Sequence, residues 1–226
     1  MRRKWESLQR KISQCEDCPR LRSHCSKVAQ TRKKMYANQE YWGRPVPTFG
    51  PPDARLLILG LAPAAHGANR TGRMFTGDSS GDWLYEALHR FGFASQPQST
   101  GMDDGLELIE CAITAAAHCA PPDNRPTREE LDACRPWLHR ELDLLDPEVV
   151  IVLGRIAWET WWKVLAERGV DLPRPRPGFA HGQWIELEGQ IPVLQSYHPS
   201  RQNTNTGRLT RPAWHSIFRK ARKRIG

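Results

Sequence analysis

Four short apolar runs alternate along the chain with segments of helical period. The runs span residues 55–60, 108–115, 148–153 and 191–196. Apolar runs of this length without polar alternation are typical of parallel strands that are buried on both faces. Residues 79–91 and 155–168 place apolar side chains at helical spacing. This alternation predicts one α/β domain over residues 1–226, a four-stranded parallel sheet between two layers of helices.

Several residues mark where individual helices begin or end. Thr127 followed by Glu130 forms a capping box, which predicts the start of a helix. Pro136 lies farther along that helix, and because proline removes a backbone hydrogen bond, we expect a break near Cys134. A proline in the first turn, as in Thr210-Arg-Pro, predicts the start of the last helix. Residues 1–36 have a charged helical pattern and form a separate N-terminal segment of the domain.

The longest predicted loop follows the first strand. In open parallel sheets, ligands bind beyond the carboxyl ends of the strands, so we expect chemistry after Gly60, Ala115 and Ser196. Residues 60–78 contain four glycines but no Gly-Lys-Ser/Thr ending of a P-loop. Loops of this length are uncommon unless they are functional. His198 follows the last strand and precedes a proline, which makes it a candidate hydrogen-bond donor, although a lone histidine is more often structural.

The net charge of the chain bears on which kind of partner it binds. Lys and Arg number 33 against 25 Asp and Glu, which gives a net charge of +8. Such an excess suits a nucleic-acid partner, because neutralising phosphates releases counterions. The alternative is a basic protein with no polyanion partner. The chain has no apolar run long enough to span a membrane and no secretory signal after its basic N-terminus, so we expect a cytoplasmic protein.

Six cysteines provide the second candidate for chemistry. Cys15 and Cys18 form a CxxC pair, and Cys119 and Cys134 follow far downstream. Four thiolates bind either zinc or a [4Fe–4S] cluster, and the single tight pair favours iron–sulfur over a zinc ribbon. Four unrelated free thiols are the alternative.

The two remaining cysteines have weaker claims to a metal. Cys25 is a less favoured substitute ligand. Cys111 falls inside a predicted strand, where we expect a small buried side chain.

Five segments in this order resemble the uracil-DNA glycosylase superfamily, most closely its iron–sulfur-containing family 5, the B type. The segments are CxxC at 15–18, GLAPAAHG at 60–67, NRTGRMFTGD at 69–78, CAPPDNRPT at 119–127 and HPS at 198–200. Each segment alone is weak, whereas their order and spacing together are specific. The resemblance covers nearly the whole chain.

The resemblance implies a base-excision-repair enzyme that hydrolyses the N-glycosidic bond of damaged bases in DNA. It implies that uracil is the main substrate and that hypoxanthine, xanthine, ethenocytosine and hydroxymethyluracil are further substrates. It also implies a structural [4Fe–4S] cluster on Cys15, Cys18, Cys119 and Cys134. We therefore expect a monomer that binds uracil-containing DNA in a prokaryotic cytoplasm, associated with the nucleoid.

The resemblance also assigns roles to individual residues. Asp78 becomes the catalytic carboxylate, His198 a donor to the departing base, and Asn124 a further polar contact. The residues expected to bind the base are Gly60, Leu61, Ala62, Pro63, Ala64, Phe75 and Thr114. The residues expected to bind DNA phosphates are Arg201 and Arg208.

One position departs from the superfamily and one role has an alternative. Ala62 occupies a position where most of the superfamily carries an acidic or amide side chain that positions water. The absence of that acidic or amide side chain implies that the enzyme accepts a broader range of bases. Asp78 precedes Ser79 and a helical segment, so it also suits a helix N-cap, and the two roles can coexist.

Two other functions fit part of the sequence. A non-enzymatic DNA-binding protein with a structural or redox-sensing metal site explains the charge and the cysteines, but it gives no role to the 60–78 loop. A hydrolase of free nucleosides explains the loop, but it gives no role to the basic excess.

Overall fold

The computed structural model describes residues 1–226 and contains one five-stranded sheet. Its strands are β1 (Leu56–Gly60), β2 (Cys111–Ala115), β3 (Val149–Leu153), β4 (Trp184–Ile185) and β5 (Val193–Ser196). The strand order is β2-β1-β3-β5-β4. The four predicted strands pair in parallel, whereas β4 adds an antiparallel edge strand that the sequence did not predict. The predicted sheet of four strands is therefore wrong by one, because a two-residue strand leaves no pattern to detect.

Eight α-helices surround the sheet. They are α1 (Arg2–Ser13), α2 (Pro19–Thr31), α3 (Ala68–Thr71), α4 (Ser79–Arg90), α5 (Arg128–Leu142), α6 (Arg155–Glu167), α7 (Arg201–Asn205) and α8 (Arg211–Ile225). Two 3-10 turns, Lys34–Tyr36 and Pro122–Asn124, lie between them. No helix is long and apolar enough to cross a membrane.

The predicted break in α5 near Cys134 is wrong. The helix runs from Arg128 to Leu142 with Pro136 inside it. Its start is fixed by the capping box of Thr127 and Glu130, which the sequence predicted. Beyond the proline, inward-facing residues such as Leu138 are buried. An interior proline costs about 3 kcal/mol, and this burial and capping offset that cost.

The core consists of two apolar layers, one on each face of the sheet. On one face, Ile58 and Ile113 pack with residues of α4 and α8. On the other face, Leu57 and Ala112 pack with residues of α1, α5 and α6. Successive strand side chains point to opposite faces, so both layers draw on the same strands. The carboxyl ends of β1 and β5 open on one edge, where the long loop begins.

Candidate active site and cysteine pocket

The loop between β1 and α4 has a tightly determined backbone. Phe75 has a φ of +55°, which is unusual for a residue with a side chain. Gly81 permits this conformation, because a Cβ at Gly81 would lie 1.7 Å from the Phe75 carbonyl oxygen. Gly60 in turn lies against the Phe75 ring, where a Cβ would come 3.0 Å from Cε2. The two glycines thus fix the place of the phenyl ring at the carboxyl end of β1.

The first turn of this loop presents unpaired backbone donors. The N–H groups of Leu61, Ala62 and Ala64 donate to no acceptor in the protein. Pro63 between them has no N–H, and the three residues are half-buried. Backbone donors are rarely left without a partner in a folded protein. This row of amides is therefore available to an external acceptor at the sheet edge.

Asp78 ends the loop and caps α4. Its Oδ1 accepts hydrogen bonds from the backbone N–H of Ser80 at 2.9 Å and of Gly81 at 3.0 Å. Its Oδ2 accepts none and faces Gly67, where a Cβ would lie only 2.2 Å away. The cap fixes the carboxylate in orientation and leaves one oxygen for another partner.

His198 lies beside Phe75 after β5. The two rings stack with centroids 5.7 Å apart and an interplanar angle of 29°. Burial lowers the pKa of His198 from its ordinary value of 6.5 to about 4. The side-chain N–H of Asn203 donates a hydrogen bond to the backbone carbonyl oxygen of His198 at 2.8 Å. The imidazole is therefore neutral near pH 7 and can donate one hydrogen bond without carrying charge.

Two arginines predicted to bind DNA lie at the rim of this edge. The Nε of Arg201 donates to Ser79 Oγ at 3.1 Å, which ties the segment after β5 to the start of α4. The guanidinium of Arg208 lies 4.4 Å from the centre of the Tyr197 ring. Both arginines are exposed. The fold thus brings the loop, Asp78, His198 and Arg201 together from distant parts of the chain.

Thr114 and Asn124 lie apart from this group. Thr114 is fully buried, and its hydroxyl donates to Glu141 Oε2 at 2.8 Å. It faces the α5 layer because strand side chains alternate, and its neighbour Ala115 faces the other layer. Asn124 is exposed in the 3-10 turn that precedes α5, with a φ of +55°. The structure places neither side chain against the loop.

The four cysteines expected to bind a cluster line one pocket. Cys15 and Cys18 lie in the turn between α1 and α2, Cys119 follows β2, and Cys134 belongs to α5. Leu21, Pro45, Ala133 and Trp137 line much of the rest. The thiols surround the pocket and do not converge on one point as ligands of a single ion.

The sulfurs have both N–H donors and a carboxylate nearby, and the Cys15 thiol donates to Asp17 Oδ2 at 3.3 Å. The Trp137 indole N–H donates to Cys15 Sγ at 3.4 Å, and the His118 backbone N–H donates to Cys134 Sγ at 3.3 Å. Without a metal, burial raises the pKa of the Cys134 thiol to about 12. Burial also raises the pKa of Cys15 and of Cys18. A bound cation would lower these pKa values and favour the thiolate form.

The other two cysteines are both fully buried. Cys111 lies in β2, as the sequence predicted, outside the cysteine pocket. Cys25 belongs to α2, and its thiol packs against Cys119 and lies 3.6 Å from the Ala120 carbonyl oxygen. Cys25 is thus a neighbour of one candidate ligand and does not line the pocket itself.

Comparison with known proteins decides the family. The model of the uracil DNA glycosylase superfamily matches residues 47–222. The chain belongs to the uracil-DNA glycosylase superfamily. A type-5 uracil-DNA glycosylase of Mycobacterium tuberculosis is 49% identical to it, over 95% of this chain and 80% of the relative. Type-5 enzymes of Mycobacterium leprae and Thermus thermophilus are 49% and 47% identical, covering 97% and 98% of this chain and 95% and 98% of their own lengths. The resemblance predicted from the sequence motifs is thus confirmed.

Two buried arginines hold the loop of this superfamily member, and the sequence reading missed both. Arg70 donates to the carbonyl oxygens of His66 at 2.8 Å and Gly77 at 3.0 Å, and so spans the loop. Arg73 forms a buried ion pair with Asp104 and donates to Thr76 Oγ1 at 3.0 Å. Burial works to raise the pKa of Asp104, but Arg73 and backbone donors outweigh it and hold the pKa well below its usual range. Two arginines among small loop residues indicated that the loop has buried cations, but not which groups they bind.

A buried carboxylate was also missed. Glu141 on α5 is fully buried and accepts hydrogen bonds from the hydroxyls of Thr48 and Thr114. His118 Nε2 lies 3.9 Å from Glu141 Oε1. Glu141 follows Leu138 by three positions, so helical spacing places it on the inner face of α5.

Proposed function

We propose that this protein hydrolyses the N-glycosidic bond of uracil in DNA during base excision repair and leaves an abasic site. One observation carries the proposal: unpaired loop amides, a free carboxylate oxygen and a neutral histidine meet at one edge of the sheet. The relatives named as type-5 uracil-DNA glycosylases support it over nearly the whole chain.

The base must leave the helical stack before this edge can act on it. Extrusion of a nucleotide costs a few kcal/mol, and less for a mismatched base than for a paired one. Stacking on an aromatic ring returns about 1–3 kcal/mol per base. Phe75, held by Gly60 and His198, is the ring that the flipped base meets. The amides of Leu61, Ala62 and Ala64 then donate to the carbonyl oxygens of the base.

Cleavage separates charge between the sugar and the departing base. As in other glycoside hydrolyses, positive charge develops on the sugar, and the leaving group takes the bonding electrons. His198 donates a hydrogen bond to an oxygen of the leaving base and stabilises the resulting anion. A neutral imidazole suits this role, because the proton is shared in the hydrogen bond and need not be transferred.

Asp78 acts on the sugar side of the broken bond. Its Oδ2 faces away from the helix cap and is free to stabilise the positive sugar or to orient the attacking water. The base leaves with the electrons of the N-glycosidic bond, water adds to the anomeric carbon, and the proton that this water loses passes through solvent to the base anion. Asn124 and Thr114 stay proposed contacts, and both require local movement to reach a base. Arg201 and Arg208 bind phosphates at the rim.

Ala62 supports a range of bases wider than uracil. Its side chain has no polar group with which to select one base by hydrogen bonding. Backbone amides donate to any carbonyl oxygen placed before them. We therefore include hypoxanthine, xanthine, ethenocytosine and hydroxymethyluracil among the proposed substrates.

The cysteine pocket fits a [4Fe–4S] cluster. A cluster of this kind presents a separate iron to each thiolate, which suits four sulfurs spread around one pocket. Cys15, Cys18, Cys119 and Cys134 would hold it, with N–H donors from Trp137 and His118 on two of the sulfurs. When bound, the cluster supplies cross-links between the N-terminal segment, the loop after β2 and α5. A zinc ion would require the four sulfurs to converge at about 2.3 Å from one point.

A panel of duplexes tests the function. Each duplex carries one uracil, hypoxanthine, xanthine, ethenocytosine or hydroxymethyluracil, and alkali-labile sites are counted after single-turnover incubation. We expect sites with uracil and with several of the other bases. Release of uracil alone would contradict the proposed broad specificity. Binding without release of any base would favour a non-enzymatic DNA-binding protein.

A further inference from the structure

A short basic turn, residues 32–36, is exposed beside the loop. It follows α2 and includes the 3-10 turn Lys34–Tyr36. Arg32, Lys33 and Lys34 are exposed, and Met35 is exposed to 66%. An apolar side chain this exposed among cations contributes nothing to the core. The combination points to a surface with a partner.

Two tyrosines fix the basic turn to the loop. The Tyr41 hydroxyl accepts from the Lys33 backbone N–H at 3.3 Å and lies 3.1 Å from His66 Nδ1. The Arg70 guanidinium lies 4.0 Å from the centre of the Tyr36 ring. Arg70 also binds the carbonyl oxygens of the loop. The turn is therefore held in a defined place next to the first part of the loop.

The cations of the turn have different roles. Arg32 donates to the carbonyl oxygens of Ala29 at 3.2 Å and Ala37 at 2.8 Å, so it holds the turn together. The Nζ groups of Lys33 and Lys34 pair with no carboxylate of the protein. Two charges thus stay free for an external anion.

We propose that the basic turn is a second DNA contact, in which Lys33 and Lys34 bind backbone phosphates and Met35 presses against the bases beside the flipped nucleotide. The inference rests on the proposed function, because it assumes a nucleotide turned into the loop. Arg201 contacts the strand from the other end of the site, so the extruded nucleotide lies between two anchors. Proteins that bend DNA commonly insert an apolar side chain, methionine included, between neighbouring base steps.

The first experiment measures binding of the full chain, at several salt concentrations, to a duplex that carries one uncleavable abasic-site analogue in place of the uracil nucleotide. Each phosphate contact contributes about 0.9 to the slope of log K against log salt. The slope is negative, and we expect the double variant Lys33→Ala/Lys34→Ala to make it shallower by about 1.8. Lys4→Ala/Lys11→Ala is the control, because it removes the same charge from exposed positions on a different helix, α1. Equal slopes for both double variants would overturn the phosphate contact.

The second experiment concerns Met35. We expect Met35→Ala to slow uracil release from a duplex by about tenfold and to leave release from a single strand unchanged, because only a duplex must be unstacked. Ile109→Ala is the control. Ile109 is exposed to 46% and precedes β2, so it lies at the amino ends of the parallel strands, away from the loop. An equal loss on single strands, or no loss on duplexes, would overturn the role of Met35.

The outcomes separate this contact from the proposed function. The salt dependence is measured without catalysis and can fail on its own. If the unaltered protein releases uracil and the variants of the turn behave as their controls do, only the second contact is wrong. If the unaltered protein releases no base, the glycosylase function is wrong, whatever the slopes are.

Discussion

The loop of residues 60–78 and the cysteine pocket lie close together but are built in opposite ways. The loop keeps donors and one carboxylate oxygen without protein partners, within a backbone clamped by buried Arg70 and Arg73. The pocket surrounds four thiols with a mixture of apolar and polar side chains and with N–H donors to two of the sulfurs. One region leaves its polar groups available for chemistry, and the other uses them to hold segments together. Changes in the loop should therefore reduce rate, whereas changes in the pocket should reduce stability.

A side-chain hydrogen bond links the loop to α2, the helix that begins at the cysteine pocket. The buried side-chain amide of Asn69 in the loop donates to the carbonyl oxygen of Cys25 on α2 at 3.3 Å. The helix α2 begins directly after Cys18. Loss of the proposed cluster should therefore also disturb the loop, although the loop contributes none of the proposed ligands.

The largest effect should come from the pocket. We expect Cys134→Ser to lose most of its bound iron and to unfold at a lower temperature, because a bound metal contributes folding free energy. Iron content and thermal unfolding measure this. Cys111→Ala is the matched control, since it removes a buried thiol outside the pocket. A protein that keeps its iron after Cys134→Ser would contradict the assigned ligand set.

The next effect should come from the histidine of the loop region. We expect His198→Ala to lower the single-turnover rate by about 10²–10³-fold, the usual loss when one donor to a developing anion is removed. Iron content should stay unchanged. A variant that retains the full rate would show that the leaving base is stabilised by other groups.

A smaller effect should separate the two roles of Asp78. We expect Asp78→Asn to lower the rate by about 10²-fold, because it removes the charge that stabilises the sugar. Asparagine is as good an N-cap as aspartate, so the unfolding temperature should change little. An unchanged rate would mean that Asp78 only caps α4, and a large loss of stability would mean that its charge matters for the fold.

The smallest effect is a pH dependence of stability. The folded protein lowers the pKa of His198 from 6.5 to about 4, so the unfolded chain binds the proton more readily. This destabilisation is absent above pH 6.5 and grows as the pH falls towards 4. It should reach about 2 kcal/mol at pH 5. Denaturant unfolding at pH 7 and pH 5 measures it, and His198→Gln should lack this part of the change. The same loss in that variant would assign the dependence to other groups.

The sequence predicts the parts of this molecule that follow from local pattern. The four parallel strands, the capping box at Thr127 and the helix after Asp78 all have signatures within a few residues. The break predicted near Cys134 was wrong, because packing of the helix outweighs the local effect of Pro136. The edge strand β4 was missed because its two residues are ordered only by pairing with β5.

The chemistry of the site was partly visible from sequence. The loop and His198 follow strand ends, so topology alone brings them to one edge. The clamp of Arg73 on Asp104 joins residues 31 positions apart, and no local pattern indicates that pairing. Thr114 stays a proposed base contact, and no local pattern in the sequence indicated that its hydroxyl donates to Glu141. Contacts between distant segments were thus the part that only the structure could supply.

The most direct test is uracil release from a duplex with one uracil under single-turnover conditions, with the unaltered protein and His198→Ala at equal iron content. We predict rapid formation of abasic sites by the unaltered protein and a rate at least about 10²-fold lower for the variant. Equal rates, or DNA binding by the unaltered protein without base release, would contradict the assignment of chemistry to this edge of the sheet.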